Sequence, residues 1–322
     1  MPPQNQSRVR FSDYHPKPSD FFAEVIDGLS RQPKSIPPKF FYDAKGSQLF
    51  DAICELPEYY PTRTETRILK QNAYEIANAV GENSFIIEPG SGSGHKIRLL
   101  LDALKPHVYM PMDISKEHLL NAANELAKDF PWLEVHAACA DFTTELTIPE
   151  PDQHEHKIAF FPGSSIGNFE PSDAVGFLRH LGDIVGNGGG LLIGVDLKKD
   201  SGILNAAYND ASGVTAQFNK NLLTRVNREL GADFQLDHFQ HNAFYNEDKG
   251  RVEMHLISDR PQTVNVDDST FKFTEGETIH TENSYKYTIA EFEALALQAG
   301  YKLIKIWTDP DSLFSLQFYE FV

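Results

Sequence analysis

Phe85-Ile86-Ile87-Glu88-Pro89-Gly90-Ser91-Gly92-Ser93-Gly94, followed by a helix-forming run over residues 96–104, is the stretch that decides the fold. Three apolar residues form a short strand that ends at an acid. Gly90, Gly92 and Gly94 then allow the backbone to turn sharply and to be approached closely. The same alternation repeats on both sides. Residues 64–80 have helical periodicity, and residues 108–112 form a second strand ended by Asp113. Ser115 is placed to cap a helix with Leu119, Leu120, Ala123 and Leu126 on one side. Residues 133–137 make a third strand, followed by Asp141 and Phe142, and residues 158–161 make a fourth. Pro171 suits the first turn of a helix that runs to Val185, and Gly188-Gly189-Gly190 precedes a fifth strand over residues 191–197. Strand–helix units at this spacing predict an α/β fold with a doubly wound parallel sheet, and a ligand over the carboxyl ends of its strands.

The alternation then stops. Val214, Phe218, Leu222, Val226 and Leu230, at steps of four, predict a long helix. Strand-like segments follow over residues 251–258, 263–266, 271–273 and 277–287, which reads as an antiparallel insert. Thr288-Ile289-Ala290-Glu291 has the form of a capping box, and Gly300 closes the helix it opens. Residues 301–307 and 313–321, joined by Asp309-Pro310-Asp311, predict a terminal antiparallel hairpin. Residues 1–18, polar and rich in proline, read as a mobile arm. The aromatic stretch within 19–60 must pack against something or line a pocket. The expected division is therefore a wound domain of 61–200 and 286–322, and a smaller α+β substrate-binding domain of 19–60 and 201–285.

Composition excludes several classes. A net charge of −17 without a basic stripe argues against nucleic acid, which needs clustered Lys and Arg. Cys54 and Cys139 supply neither a disulfide framework nor a cysteine zinc site. No apolar run approaches the ~18 residues of a membrane span, and the start lacks a secretory apolar region, so a cytoplasmic monomer is expected. No metal is expected: His238 and His241 could share a helix face but lack acids, and His154-Glu155-His156 reads as a charged loop. Ser164 and Ser165 lack the G-x-S-x-G elbow of a hydrolase.

The E-x-G-x-G-x-G loop resembles the first motif of class I methyltransferases, a Rossmann-like fold. That resemblance implies S-adenosylmethionine as cofactor, with Glu88, Gly90, Gly92 and Lys96 around its methionine part. Asp113 would meet the ribose hydroxyls, Asp141 the adenine amino group, and Phe142 would lie beside the ring. Longer motifs are more specific. Residues 37–43 (PPKFFYD), 56–63 (LPEYYPTR), 163–168 (GSSIGN), 208–210 (YND), 213–216 (GVTA) and 281–284 (TENS) are similar to the histidine-specific N-α-methyltransferases of ergothioneine biosynthesis. The likeness runs from about residue 20 to the end. It implies three methylations of the L-histidine α-nitrogen, giving hercynine. Tyr59, Asn168 and Tyr208 would hold the substrate carboxylate, and Gly163 would let substrate lie near the backbone. Tyr42 would stand by the amine and the sulfonium as the catalytic side chain. Glu282 and Ser284, two apart on a strand, share a face and would grip both imidazole nitrogens, with Met254 walling the ring. Pro89, Gly94, His255 and Tyr285 depart from the family pattern, which bears on affinity and fine specificity. Two alternatives stand beside this reading: methylation of an indole amino acid, and a non-catalytic S-adenosylmethionine-binding regulator.

Overall fold

The structure, a computed structural model, describes residues 9–14, 20–142 and 156–322. In chain order the strands and helices are β1 (Val9–Asp13), α1 (Phe21–Ser30), β2 (Lys34–Ser35), α2 (Ala44–Cys54), α3 (Tyr60–Val80), β3 (Ser84–Pro89), α4 (His95–Leu104), β4 (Val108–Asp113), α5 (Lys116–Asp129) and β5 (Glu134–Cys139). There follow β6 (His156–Phe161), α6 (Pro171–Val185), β7 (Gly190–Asp196), α7 (Ser201–Tyr208), α8 (Val214–Leu230), β8 (Phe239–Asn246), β9 (Arg251–Ser258), β10 (Gln262–Val266), β11 (Ser269–Phe273), β12 (Thr278–Tyr285), α9 (Ile289–Gln298), β13 (Tyr301–Thr308) and β14 (Phe314–Phe321).

Strands β3 and β7 are buried along their whole length, as expected where helices cover both faces of a parallel sheet. Among the described residues the sheet has eight strands, in the order β1-β5-β4-β3-β6-β7-β14-β13. Helices α3, α4 and α5 pack one face through Ile68, Leu69, Ile97, Leu101 and Leu119. Helices α6 and α9 pack the other through Phe177, Leu181, Phe292 and Leu295. Strand order reverses between β3 and β6, which opens a crevice at their carboxyl ends. The predicted hairpin closes the sheet, with β14 antiparallel to β7 from Phe314 opposite Asp196 to Glu320 opposite Gly190. The predicted capping box of Thr288 and Glu291 is formed in both directions.

Several local expectations need correction. Val9–Asp13, expected within a mobile arm, pairs in parallel with β5 as an edge strand. Its apolar residues alternate, Val9 and Phe11, but over a strand too short to stand out by periodicity. The rest of that arm, 1–8 and 15–18, lies outside the described residues, as do His154 and Glu155. Helix α3 begins at Tyr60, four residues before the expected 64, because Pro61 seeds its first turn. Ser115 stands at the N-cap of α5 but makes no side-chain cap bond.

The insert is a four-stranded sheet, β2-β12-β9-β8, beside the hairpin β10-β11. Strand β8 was not foreseen, since its sequence FQHNAFYN mixes polar and apolar residues without a clear period. It places His241 on a strand, so His238 and His241 do not share a helix face. His241 instead joins α8 to α7, bonding Asn219 Nδ2 at 2.9 Å and the Tyr208 carbonyl at 2.9 Å. One apolar cluster spans α1, α2, α7, α8 and this sheet, with Val25, Phe41, Leu204, Phe218, Leu222, Val252 and Met254 among its members.

Candidate active site

At the crevice, Gly90, Gly92 and Gly94 have φ of +66°, +52° and +66°, a backbone region that strains any side chain and keeps the loop open. Asp113, at the end of β4, spans that loop: Oδ2 accepts from the Gly92 N–H at 3.3 Å and Oδ1 from the Ser115 N–H at 2.9 Å. Glu88 is buried and accepts from the Tyr109 hydroxyl at 2.6 Å; burial pushes its carboxyl up to about 8. Phe142 packs edge-on against Phe161 and Phe177, and its ring lies beside Gly90. Asp141 follows β5 at the last described turn before residue 143. The Ser91 hydroxyl is buried with no hydrogen-bond partner among the described residues. An open glycine loop, a carboxylate at its edge and an unsatisfied buried hydroxyl together fit a polar cofactor such as S-adenosylmethionine.

Beside it lies a cleft open to solvent. All eight expected substrate-side residues line it: Tyr42, Tyr59, Gly163, Asn168, Tyr208, Met254, Glu282 and Ser284. They come from six places in the chain. Tyr42 follows a single 3-10 turn, Pro38–Phe41, just before α2. Tyr59 precedes α3, and Asn168 ends the 3-10 turn Ser165–Asn168. Tyr208 closes α7, Met254 lies on β9, and Glu282 and Ser284 on β12. Glu282 stands directly opposite Met254 across the strands, just after a bulge between His280 and Glu282. Because of that bulge His280 pairs with His255 on one face while Glu282 turns to the other, toward the cleft. Burial pushes the Glu282 carboxyl up to about 7, a rise that the charge on Lys286 partly offsets.

Gly163 has φ of +84°, and a Cβ added there would meet Lys96 Nζ at 3.0 Å. Its N–H donates to both oxygens of Glu65 at 3.0 Å, and Lys96 Nζ pairs with Glu65 at 2.6 Å. Glu65, fully buried, thus joins the helix that follows the glycine loop to the floor of the cleft.

Sequence reasoning missed Glu65 and a second buried network. Lys286 Nζ lies 2.7 Å from Asp196, 3.0 Å from the Tyr208 hydroxyl and 2.8 Å from Ser284 Oγ. Tyr60 donates to Asp196 at 2.7 Å, and Lys199 lies 2.6 Å from the same carboxylate. Burial pushes the Lys199 ammonium down to about 8, while Asp196 holds Lys286 protonated. The signal for Lys286 was present in the chain, since a strand expected over residues 277–287 puts 282, 284 and 286 on one face. Three metal-type side chains, Glu253, His255 and His280, bring donor atoms within 4.8 Å of one another. The two imidazoles stack at 4.7 Å and 15°, and each Nε2 already has a partner, the Glu253 carboxylate for His255 and the Glu282 carbonyl for His280.

Comparison with known proteins places the chain in a family. Residues 21–321 match the sequence pattern of the family described as "Histidine-specific methyltransferase, SAM-dependent". A histidine N-alpha-methyltransferase of Mycolicibacterium smegmatis is 43% identical over 300 residues, covering 91% of this chain and 92% of that protein. Ergothioneine biosynthesis protein 1 of Neurospora crassa is 32% identical over 286 residues, 86% of this chain and 32% of that longer protein. A 4-dimethylallyltryptophan N-methyltransferase of Claviceps purpurea is 27% identical, over 89% of this chain and 90% of that one. This chain belongs to the histidine-specific, S-adenosylmethionine-dependent methyltransferase family.

Proposed function

We propose that this protein transfers three methyl groups in succession from S-adenosylmethionine to the α-nitrogen of L-histidine, giving hercynine, the first step of ergothioneine biosynthesis. The observation that carries the reading is the ring end of the cleft, where a carboxylate and a hydroxyl share a face opposite Met254. An imidazole rewards that pair, because it offers an N–H and a lone pair in one plane. Tyr59, Asn168 and Tyr208 hold the substrate carboxylate through neutral donors, with orientation mattering more than charge. Glu88, Gly90, Gly92, Lys96, Asp113, Asp141 and Phe142 form the cofactor side.

S-adenosylmethionine supplies an electrophilic methyl on a sulfonium cation, whose charge also favours a neutral amine beside it. Tyr42, at the mouth of the cleft, orients that amine, and Gly163 lets it approach the backbone. No strong general base is needed, because the amine's pKa requires only a modest downward shift. Most of the acceleration comes from holding the amine in line with the methyl. We take residues 19–60 and 201–285 as the substrate-binding unit, residues 61–200 and 286–322 as the cofactor-binding unit, and a cytoplasmic monomer as the working form. The net charge of −17 supports the absence of a nucleic-acid partner. Among the described residues no helix is long and apolar enough to cross a membrane.

The Claviceps relative favours testing a second reading, an indole substrate. Glu282 and Met254 weigh against it, since an indole presents one N–H donor and needs more room, whereas an imidazole rewards a carboxylate. The test is a screen of free amino acids with labelled S-adenosylmethionine and mass detection of added methyls. Histidine gaining three methyls is the expected result. No methyl release with any amino acid would favour a silent regulator, and preference for tryptophan would overturn the histidine reading.

A further inference from the structure

We infer that Lys286 is a positioning residue that turns both Tyr208 and Ser284 into donors toward the substrate, so that the cleft takes the neutral imidazole and turns the imidazolium away. The inference rests on the proposed histidine substrate and goes beyond it by naming the ring's protonation form.

An ammonium has three N–H donors and no acceptor. Those of Lys286 have three partners: Asp196 at 2.7 Å, Tyr208 Oη at 3.0 Å and Ser284 Oγ at 2.8 Å. The side chains of Lys286 and Asp196 are 1% and 0% exposed, so water does not compete for those bonds. Each hydroxyl therefore accepts from Lys286 and keeps its single proton for another acceptor. In the structure Tyr208 and Ser284 lie 2.8 Å apart and share one such proton. A bound amino acid offers two better acceptors, its carboxylate to Tyr208 and a bare ring nitrogen to Ser284. Glu282, on the same strand face, takes the remaining ring N–H.

An imidazolium has no bare nitrogen. It would present a second N–H to a hydroxyl whose neighbour, 2.8 Å away, is an ammonium. Glu282 works in the opposite sense, because a carboxylate attracts the cationic ring. The other ionisable groups of the network are Asp196, Lys199, Tyr60 and Tyr208, and Asp196 is matched by two ammonium groups. Burial and Lys286 divide these effects unevenly: Glu282 is itself held partly protonated near neutrality, which weakens its pull on a cation.

The first test uses the wild-type protein with S-adenosylhomocysteine and ¹⁵N-labelled histidine, observed by NMR at about pH 6, below the ordinary imidazole pKa of about 6.5. The expected bound ring is neutral, with one protonated and one bare nitrogen; a bound imidazolium overturns the inference. The second test compares histidine with its pyrrole analogue, which keeps a ring N–H and has C–H in place of the bare nitrogen. Wild type should favour histidine by tenfold or more in kcat/KM. Ser284→Ala and Lys286→Met should both bring that ratio toward unity, with affinity for S-adenosylmethionine unchanged. In Lys286→Met, Asp196 keeps Lys199 and Tyr60, and thermal unfolding reports whether the fold persists. A loss shared equally by both substrates, with the ratio preserved, would mean that Lys286 is only structural. Histidine that is not methylated by wild type at all would refute the proposed function instead, and is a separate outcome.

Discussion

Replacing Glu282 by Ala together with Met254 by Val should exchange the ring preference of the cleft. Glu282 faces Met254 across β12 and β9, so the two truncations enlarge one continuous space. Removing the carboxylate deletes a hydrogen bond to a charged group, worth roughly 1.5–3 kcal/mol. At about 1.4 kcal/mol per decade, kcat/KM for histidine should fall about 10- to 150-fold. Tryptophan should gain, because Met254 is buried and its shortening adds volume, and each Å² of apolar surface buried contributes about 25 cal/mol. The assay is kcat/KM for both amino acids in both proteins. An unchanged histidine-to-tryptophan ratio would make Glu282 a structural strand residue.

The same carboxyl makes a stability prediction with a definite sign. Its folded pKa, about 7, lies above its ordinary 4.5, so the fold favours the protonated acid. That contribution is present below about pH 4.5 and is lost as pH rises through 7. Glu282→Ala should therefore raise the unfolding temperature more at pH 8 than at pH 5, with an upper scale of about 3 kcal/mol. An equal effect at both pH values would contradict the raised pKa.

Three further outcomes follow from the geometry. Asp113→Ala should weaken S-adenosylmethionine binding at least tenfold, since it removes a carboxylate acceptor worth roughly 1.5–3 kcal/mol; calorimetry on the folded variant checks this. Asn168→Ala and Tyr208→Phe should raise KM for histidine while leaving cofactor affinity nearly intact, and the reverse pattern would refute separate pockets. Gly163→Ala should lower both stability and histidine affinity, because φ is +84° and the new Cβ meets Lys96 Nζ at 3.0 Å; the left-handed backbone alone costs roughly 1–2 kcal/mol.

The wound sheet was legible because its strands are short apolar runs ended by glycine or an acid, and its helices repeat at near-equal spacing. Asp113 and Gly90–Gly94 could be placed for the same reason, since position in that alternation implies position in space. The insert was read less well. Strand β8 sets Gln240, His241 and Asn242 in a row between its aromatics, and His241 bonds Asn219 of α8 and the Tyr208 carbonyl of α7. Helix α7, which delivers Tyr208, is eight residues long and too short to show periodicity. The bulge before Glu282 also left no mark, yet it decides that Glu282 and not His280 shares a face with Met254. The motif around 281–284 pointed to this strand, and only the pairing register shows which of its residues face the cleft.

The buried charges were hidden for a different physical reason. A lysine or an aspartate in sequence reads as surface, because an isolated buried charge is costly and long-range partners cannot be seen. Asp196 ends β7 of the wound sheet, Tyr60 begins α3, Tyr208 ends α7, and Lys286 follows β12 of the insert. Tyr60 and Lys286 both reach the Asp196 carboxylate, and Tyr208 joins it through Lys286, so elements far apart in the chain are tied together beside the cleft. Burying such a cluster is weak support for stability in itself, since apolar residues of similar volume would often do as well. Its chemistry is better explained by the cleft: a donor-only cation beside two hydroxyls fixes the direction of their protons, which an apolar replacement cannot do. Selection for substrate recognition therefore accounts for Lys286 and Asp196 more directly than selection for folding does.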